Sequence, residues 1–383
     1  MDRRPTESLI AVVALLGSGG VVAAPRIPTS DGEVLERVAD GTQKARALER
    51  MHAAFAGQPV RAARLAQAYV ELARATGDPR YAGRAQGVLG RWWELESPPP
   101  DVLLLRAVLR QWHHQFAAAL LDLDRLIALR PGDGQAWLTR AGIEQVIGEY
   151  GAAARSCARV AESLPGLVAT TCAASVASLT GGLAEARRSL AAALEAEAAP
   201  SLAIEAWSRT ALAEMARRAG DAASAERELR RALALERDPY TLAALADLLL
   251  DGSRAAEAVE LLRGSSADGL LLRLAEAEAA AGAETLPPHL ADLRDRFASA
   301  RTRGDSVHLR EEARFALRLE RDAARALRLA RENWSVQREP ADARLLVEAA
   351  RAAGIPEAAA PVFEFVRRNG TEDASLLALE ARR

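Results

Sequence analysis

An all-α solenoid of stacked antiparallel helix pairs is the fold class that three features of this 383-residue sequence predict. The first is composition. Half the residues are hydrophobic yet only 4% are aromatic, and Ala, Leu, Arg and Glu dominate, all good helix formers. The second is rhythm. Beyond residue 30, apolar helical segments of about 12–16 residues alternate with short breaks, and no period-two run rich in Val, Ile and Thr interrupts them. The third is a small residue that returns at nearly constant spacing in every second helix.

The elements follow in order. Arg3 and Arg4 precede the apolar run Leu9–Leu16, then Gly17–Gly20 and Val21 to Ala24 before Pro25. A basic start, a short apolar core and small residues are the pattern of a secretory signal peptide, so residues 1–24 are expected to be a leader cut after Ala23 or Ala24. The run is short and broken by Gly against the ~20 residues of a membrane span, although an uncleaved anchor stays open. The expected location is periplasmic or secreted. Residues 25–58 add one or two helices, the first opened by Ser30-Asp31-Gly32-Glu33, which has capping-box spacing. The repeat array is expected over 59–370, less regular near 284–335, with 371–383 as a capping helix that supplies a polar outer face.

Breaks punctuate the array at Gly77-Asp78-Pro79, Pro98–Pro100, Pro131-Gly132, Pro165-Gly166, Gly181-Gly182, Gly220-Asp221, Asp238-Pro239 and Gly354-Ile355-Pro356. The clearest unit is Gln135–Pro165. Trp137 opens its first helix, Gly148 makes the turn, Tyr150 and Ala153 open the second helix, and Pro165 ends it. The small residue falls at Ala85, Ala119, Ala153, Ala186, Ala225, Ala258, Ala291, Ala326 and Ala359, with spacings of 33 to 39 residues. Four residues later stands a large apolar side chain at Leu89, Leu123, Leu190, Leu229, Leu262 and Phe363, and Cys157 at the third, whereas Asp295 and Ala330 depart from the pattern. Antiparallel helices approach closely only where a side chain is small, and the Leu one turn on fills the groove against the next pair. Each pair leaves apolar surface for its neighbour, so the units must stack.

This pattern resembles the tetratricopeptide repeat, most closely at the Trp137 unit and in a degenerate form elsewhere. The resemblance implies a right-handed superhelix whose concave groove, lined by the first helix of each pair, binds a protein or an extended peptide. Carried over position by position, the groove candidates are Leu104, Val108, Gln111 and Trp112; Leu138, Gly142 and Gln145; Thr171, Ser175 and Ser178; Trp207, Thr210, Glu214 and Arg217; and Tyr240 and Asp247. Exported bacterial members of the family act in envelope assembly, secretion or export complexes, which is the role the resemblance implies.

Other chemistry has little to stand on. Lys+Arg 50 against Asp+Glu 52 gives a net charge of −2, no support for nucleic-acid binding. Nearly all the cations are Arg, with Lys44 the single lysine, so an individual Arg reads as a solvated helix face. No phosphate loop, nucleophile elbow or paired-Cys metal spacing occurs, and adjacent His113 and His114 point about 100° apart on a helix and read as an exposed turn. No enzyme activity, cofactor or metal is therefore expected. Cys157 and Cys172 lie equidistant from the Ser163–Leu167 turn, a geometry open to a disulfide in an oxidising compartment or to two buried thiols. Trp92-Trp93 with Pro98–Pro100 is expected to seal a repeat junction. A small-ligand or metal-binding protein using the inner cavity, and a self-associating structural subunit, remain as alternative functions.

Overall fold

The computed structural model describes Ala45, Ala47, Leu48, Arg50 and Met51, then residues 58–302, 304 and 308–381, all within the unit that starts at Gly41. The expected leader and the Ser30–Glu33 cap lie outside the described residues. What is described is helical, without strands, and forms a superhelical solenoid of nine helix pairs.

In chain order the pairs are α1 (Pro59–Thr76) with α2 (Pro79–Trp93), α3 (Pro100–Trp112) with α4 (Phe116–Leu129), α5 (Gly134–Val146) with α6 (Tyr150–Ser163), and α7 (Leu167–Ala177) with α8 (Leu183–Ala196). Then come α9 (Leu202–Arg218) with α10 (Ala222–Leu235), α11 (Pro239–Asp251) with α12 (Ala255–Leu262), and α13 (Asp268–Ala281) with α14 (Leu286–Thr302). The last two are α15 (Leu309–Phe315, extended by a π turn, Ala316–Glu320) with α16 (Ala323–Val336), and α17 (Pro340–Ala352) with α18 (Ala360–Asn369); α19 (Ala374–Glu380) follows.

Local chemistry sets these boundaries. Proline stands in the first turn of α1, α2, α3, α11 and α17, where its missing N–H costs nothing. Asp78, Asp133, Ser201, Asp221, Asp238, Asp322 and Asp373 accept hydrogen bonds from the free backbone N–H groups of the helix they precede. Within each pair the two helices are joined through one residue with positive φ: Gly77, His114, Gly148, Gly181, Gly220, Ser253, Gly282, Arg321 and Gly354. A left-handed residue reverses the chain in few steps, and glycine adopts it without a Cβ penalty.

The crossing residues behave as the packing argument requires. Ala85, Ala119, Ala153, Ala225, Ala258 and Ala326 are fully buried, and Leu89, Leu123, Leu190 and Leu262 one turn later have no exposure either. One register is corrected. In α14 the buried pair is Leu293 and Phe297, while Ala291 and Asp295 face solvent. Leu293 and Phe297 share one apolar cluster with Ala275 of α13.

The superhelix winds tightly enough that its second turn rests on its first. The turn carbonyl of Val146 accepts from the N–H of Arg338 at 2.8 Å, although nearly 200 residues separate them. Leu179 O accepts from Thr371 Oγ1 at 2.7 Å, and Glu372 accepts from the N–H of Leu183. Tyr150 packs edge-on to Phe365, ring centres 5.6 Å apart, within one cluster that joins residues 141–179 to 313–376. Thus α19 does more than cover α17: its first residue, Ala374, reaches the Gly220 turn of the fifth pair. At Gly148 the fit leaves no room for a side chain, because an added Cβ would stand 2.8 Å from the Phe365 ring.

Two buried devices reinforce the stack. Arg106, 1% exposed, pairs with Asp122 and donates to the carbonyls of Trp93 and Leu95 at 2.7 and 2.8 Å. That guanidinium closes the Trp92–Pro100 junction, so here the solvated reading of arginine fails: the chain leaving α2 has carbonyls with no helical partner, and a planar five-donor group satisfies several at once. Cys157 and Cys172 are disulfide-bonded, Cα atoms 5.6 Å apart, tying α6 to α7 across 15 residues.

Gly148→Ala should lower stability by about 2–4 kcal/mol, from the left-handed φ of 84° and the Phe365 contact together. Gly354→Ala, with φ of 70° and open space around it, should cost only about 1 kcal/mol. Chemical denaturation of both variants measures the difference, and equal losses would refute the close contact. Removing the disulfide by Cys157→Ala/Cys172→Ala should cost ~3 kcal/mol for a 15-residue loop, read as a fall in Tm that reductant no longer deepens.

Candidate functional site

Because the first helix of each pair faces the axis and the second faces outward, the inner surface is assembled from one helix per unit. Contact of one superhelical turn with the next partly encloses the inner surface as a lumen, seen as three adjoining cavities of about 130, 390 and 520 Å³ that share lining residues. Arg310 lines all three, Tyr240 the first and third, and Arg217, Asp247 and Arg273 the first and second.

The two ends differ. The larger mouth is lined by Val108, Trp112, Tyr240 and Leu270 with Pro79 and Pro239, and is more apolar than polar. Its Tyr240 side chain is 57% exposed, an aromatic face open to the lumen. The Tyr240 hydroxyl donates to Glu214, whose carboxylate raises the phenol pKa well above its usual value. The cavity of about 390 Å³, which shares Arg310 and Glu311 with the apolar one, carries Arg217, Arg314, Arg318, Arg321 and Arg344 among its lining groups and is more polar. Residues of the π turn, Arg318 and Leu319, belong to this wall.

Between the mouths the helices are tied by ion pairs. Asp247 receives Arg273 at 2.9 Å and Arg314 at 2.7 Å, and Arg314 also reaches Glu276 at 2.6 Å. Arg310 grips Asp342 and Glu339, and Arg344 binds Asp251 at 2.6 Å, joining the ninth pair to the sixth. Burial alone would raise the Asp247 pKa, but the two guanidinium groups overcome it and hold the carboxyl below the usual carboxylate range.

The sequence-derived candidates divide sharply. Val108, Gln111 and Trp112 line the apolar mouth, and Gln145, Ser175, Ser178, Glu214, Arg217, Tyr240 and Asp247 line the centre. The others do not reach the lumen. Leu104 and Leu138 pack against apolar clusters of the stack. Thr171 and Thr210 are buried, their hydroxyls paired with Ser208 at 2.7 Å and Thr241 at 3.0 Å. These pairs sit where successive inner helices approach closely, and a small hydroxyl satisfied by the neighbouring helix fits that contact. Trp207 is 38% exposed and lines none of the cavities, and neither does Gly142.

Sequence reading passed over Arg273, Arg310, Arg314 and Arg344. They were hidden among many arginines: Arg273 and Arg310 pair between neighbouring units, Arg314 reaches two units away and Arg344 three. His113 and His114 are half-buried rather than exposed: His114 lines the apolar mouth, and the buried Nε2 of His113 has no hydrogen-bond partner.

Because the folded-state pKa of Asp247 is depressed, its stabilisation is present above about pH 4 and is lost as pH falls further. Asp247→Asn should therefore cost about 1–3 kcal/mol at neutral pH and flatten the loss of stability below pH ~4. Equilibrium denaturation from neutral to acid pH checks both, and an unchanged acid slope would remove Asp247 from the network.

No family model and no curated protein matches the chain. Solved structures do. The Cut9-Hcn1 hetero-tetramer of the APC/C aligns over 86% of this chain and 64% of its own at 13% identity, with a TM-score of 0.50. PilW, a type IV pilus biogenesis factor, aligns over 53% of this chain and 96% of its own at 17% identity and a TM-score of 0.41. A tetratricopeptide repeat protein from Parabacteroides merdae aligns over 80% and 99% at 14% identity and a TM-score of 0.39. Helix pairs of about 34 residues, small residues at their crossings and inner helices lining one continuous surface together give the described chain the fold of a tetratricopeptide-repeat superhelix.

Proposed function

We propose that this chain is a non-enzymatic binding scaffold that holds an extended segment of a protein partner in its lumen. The observation that carries the reading is the lumen itself: adjoining cavities walled by the inner helices, with the half-buried Trp112 and the exposed ring of Tyr240 in the apolar one. An extended chain presents side chains and backbone groups to several walls of a concave surface at once. Aromatic anchors in a concave pocket are the usual source of binding hot spots. The disulfide between α6 and α7 supports work in an oxidising compartment outside the cytoplasm, in an assembly of the cell envelope or an export complex.

Selection of short random peptides on the full chain, followed by affinity measurement of the best binder, tests the reading. Trp112→Ala/Tyr240→Ala should weaken binding by about 30-fold or more, the scale of a hot-spot loss. Trp207→Ala, outside the lumen, should leave it unchanged. A binder equally indifferent to both variants, or lost only with Trp207→Ala, would move the working surface away from the lumen.

A further inference from the structure

The seam between successive windings of the superhelix follows a pattern: the turn inside a pair on the first winding meets a linker between pairs on the second. A Cβ added at Gly77 would stand 2.7 Å from Ala267, in the linker before α13, and 3.3 Å from Pro239, which opens α11. The turn at His114 shares a cavity wall with His308, in the linker before α15. Gly148 faces Arg338, in the linker before α17, and Gly181 lies against Gly370, in the linker before α19. Gly220 meets Ala374, where α19 begins. The turns of the first five pairs are thus covered one after another by chain that follows about five units later.

This seam stops at α19 and leaves two rims without a counterpart among the described residues. The turns of the last four pairs, at Ser253, Gly282, Arg321 and Gly354, are all exposed. An added Cβ at Gly282 or Gly354 would meet nothing within 4 Å, and Ile355 beside the latter is 44% exposed. At the other end, the linkers of the first winding have no turns beneath them. Four large apolar side chains stand along that rim: Val60 and Leu202 in the first turns of α1 and α9, Leu129 at the end of α4 and Leu95 just past α2. They are 49–62% exposed.

We propose that this chain binds a second copy of itself head to tail, with the turn rim of pairs six to nine on one copy seated on the Val60–Leu202 linker rim of the next. The contact would continue one that the molecule already makes. Turn meets linker at Gly77, Gly148 and Gly181 within the chain, and each rim carries one half of that arrangement, spaced by the same repeat. A second copy therefore brings the matching half at the right pitch, which an unrelated surface does not. Burial of the leucines and of Ile355 supplies the driving force. The two rims are different surfaces, so every assembly keeps one free rim of each kind. Such a heterologous contact grows as an open stack instead of closing at a dimer.

Sedimentation velocity of the full chain over a wide concentration range tests this. Leu129→Glu/Leu202→Glu blocks the linker rim, and Arg321→Glu/Ile355→Glu blocks the turn rim; circular dichroism checks that both remain folded. The wild type should pass beyond two copies as concentration rises, without a plateau at the dimer. Each double variant should weaken association about tenfold or more, the scale of a charge forced into an apolar contact. Mixed in equal amounts, the two variants should form a two-copy species and nothing larger, because one intact rim of each kind is left to pair.

A single-copy mass at every concentration would overturn the proposal and leave the rims to a different protein. A wild type that stops at two copies would overturn it in favour of a closed, symmetric contact. Assembly indifferent to both variants would place the contact elsewhere on the chain, and variants that stay apart when mixed would refute the head-to-tail pairing. The peptide measurements on Trp112 and Tyr240 are independent of all four outcomes.

Discussion

Contact between successive turns of the superhelix is the constraint on which the rest of this structure depends. An ordinary solenoid is stabilised by nearest neighbours alone, each unit touching only the one before and the one after. Here the turn that follows α5 carries Gly148 against the ring of Phe365, and the backbone of Val146 is hydrogen-bonded to Arg338. Backbone can come that close only where no Cβ intervenes. The same positions must also reverse the chain with positive φ, so a single glycine answers a local demand and a long-range one. One consequence is that the units are not thermodynamically independent. The apolar cluster spanning 141–179 and 313–376 couples the third and fourth pairs to the eighth and ninth.

Closure also explains the chemistry of the interior. Inner helices two and three units apart face each other across the interior, and apolar side chains from all of them would draw it closed. Charged side chains instead bridge it: Arg344 of α17 reaches Asp251 of α11, and Arg314 of α15 reaches Asp247 of the same helix. Long, planar guanidinium groups suit this duty, since they span a gap, bind two carboxylates at once and keep their charge when partly desolvated. Replacing such a network piecemeal would leave carboxylates facing low dielectric without partners. The interior is thus bridged by ion pairs between its inner helices.

Much of the site was legible residue by residue, but its boundary was not. The helix positions carried over from the repeat pattern led to Trp112, Gln145, Ser175, Glu214, Arg217, Tyr240 and Asp247, all on the lumen wall. The same positional rule led to Thr171, Thr210 and Trp207, which are not. The difference lies in curvature. Where inner helices crowd together the corresponding position is squeezed into a helix–helix contact, and the hydroxyls of Thr171 and Thr210 pair with those of the next helix. Local periodicity does not encode how sharply one unit turns on another.

Two kinds of information are therefore separated in this protein. Helix content, the order of pairs and the alanines at the crossings follow from the sequence by itself, because they rest on propensities and spacings that act within about 34 residues. The slipped register at Leu293 marks the edge of that reach, and Leu293 shares its apolar cluster with Ala275 of the other helix of the pair. The enclosed inner cavities, the seat of Gly148 on Phe365 and the pairing of Arg344 with Asp251 were decided only by the tertiary structure. These features join residues that lie far apart along the chain, and the distance between them is set by the pitch of the superhelix, a sum of small rotations that no single unit displays.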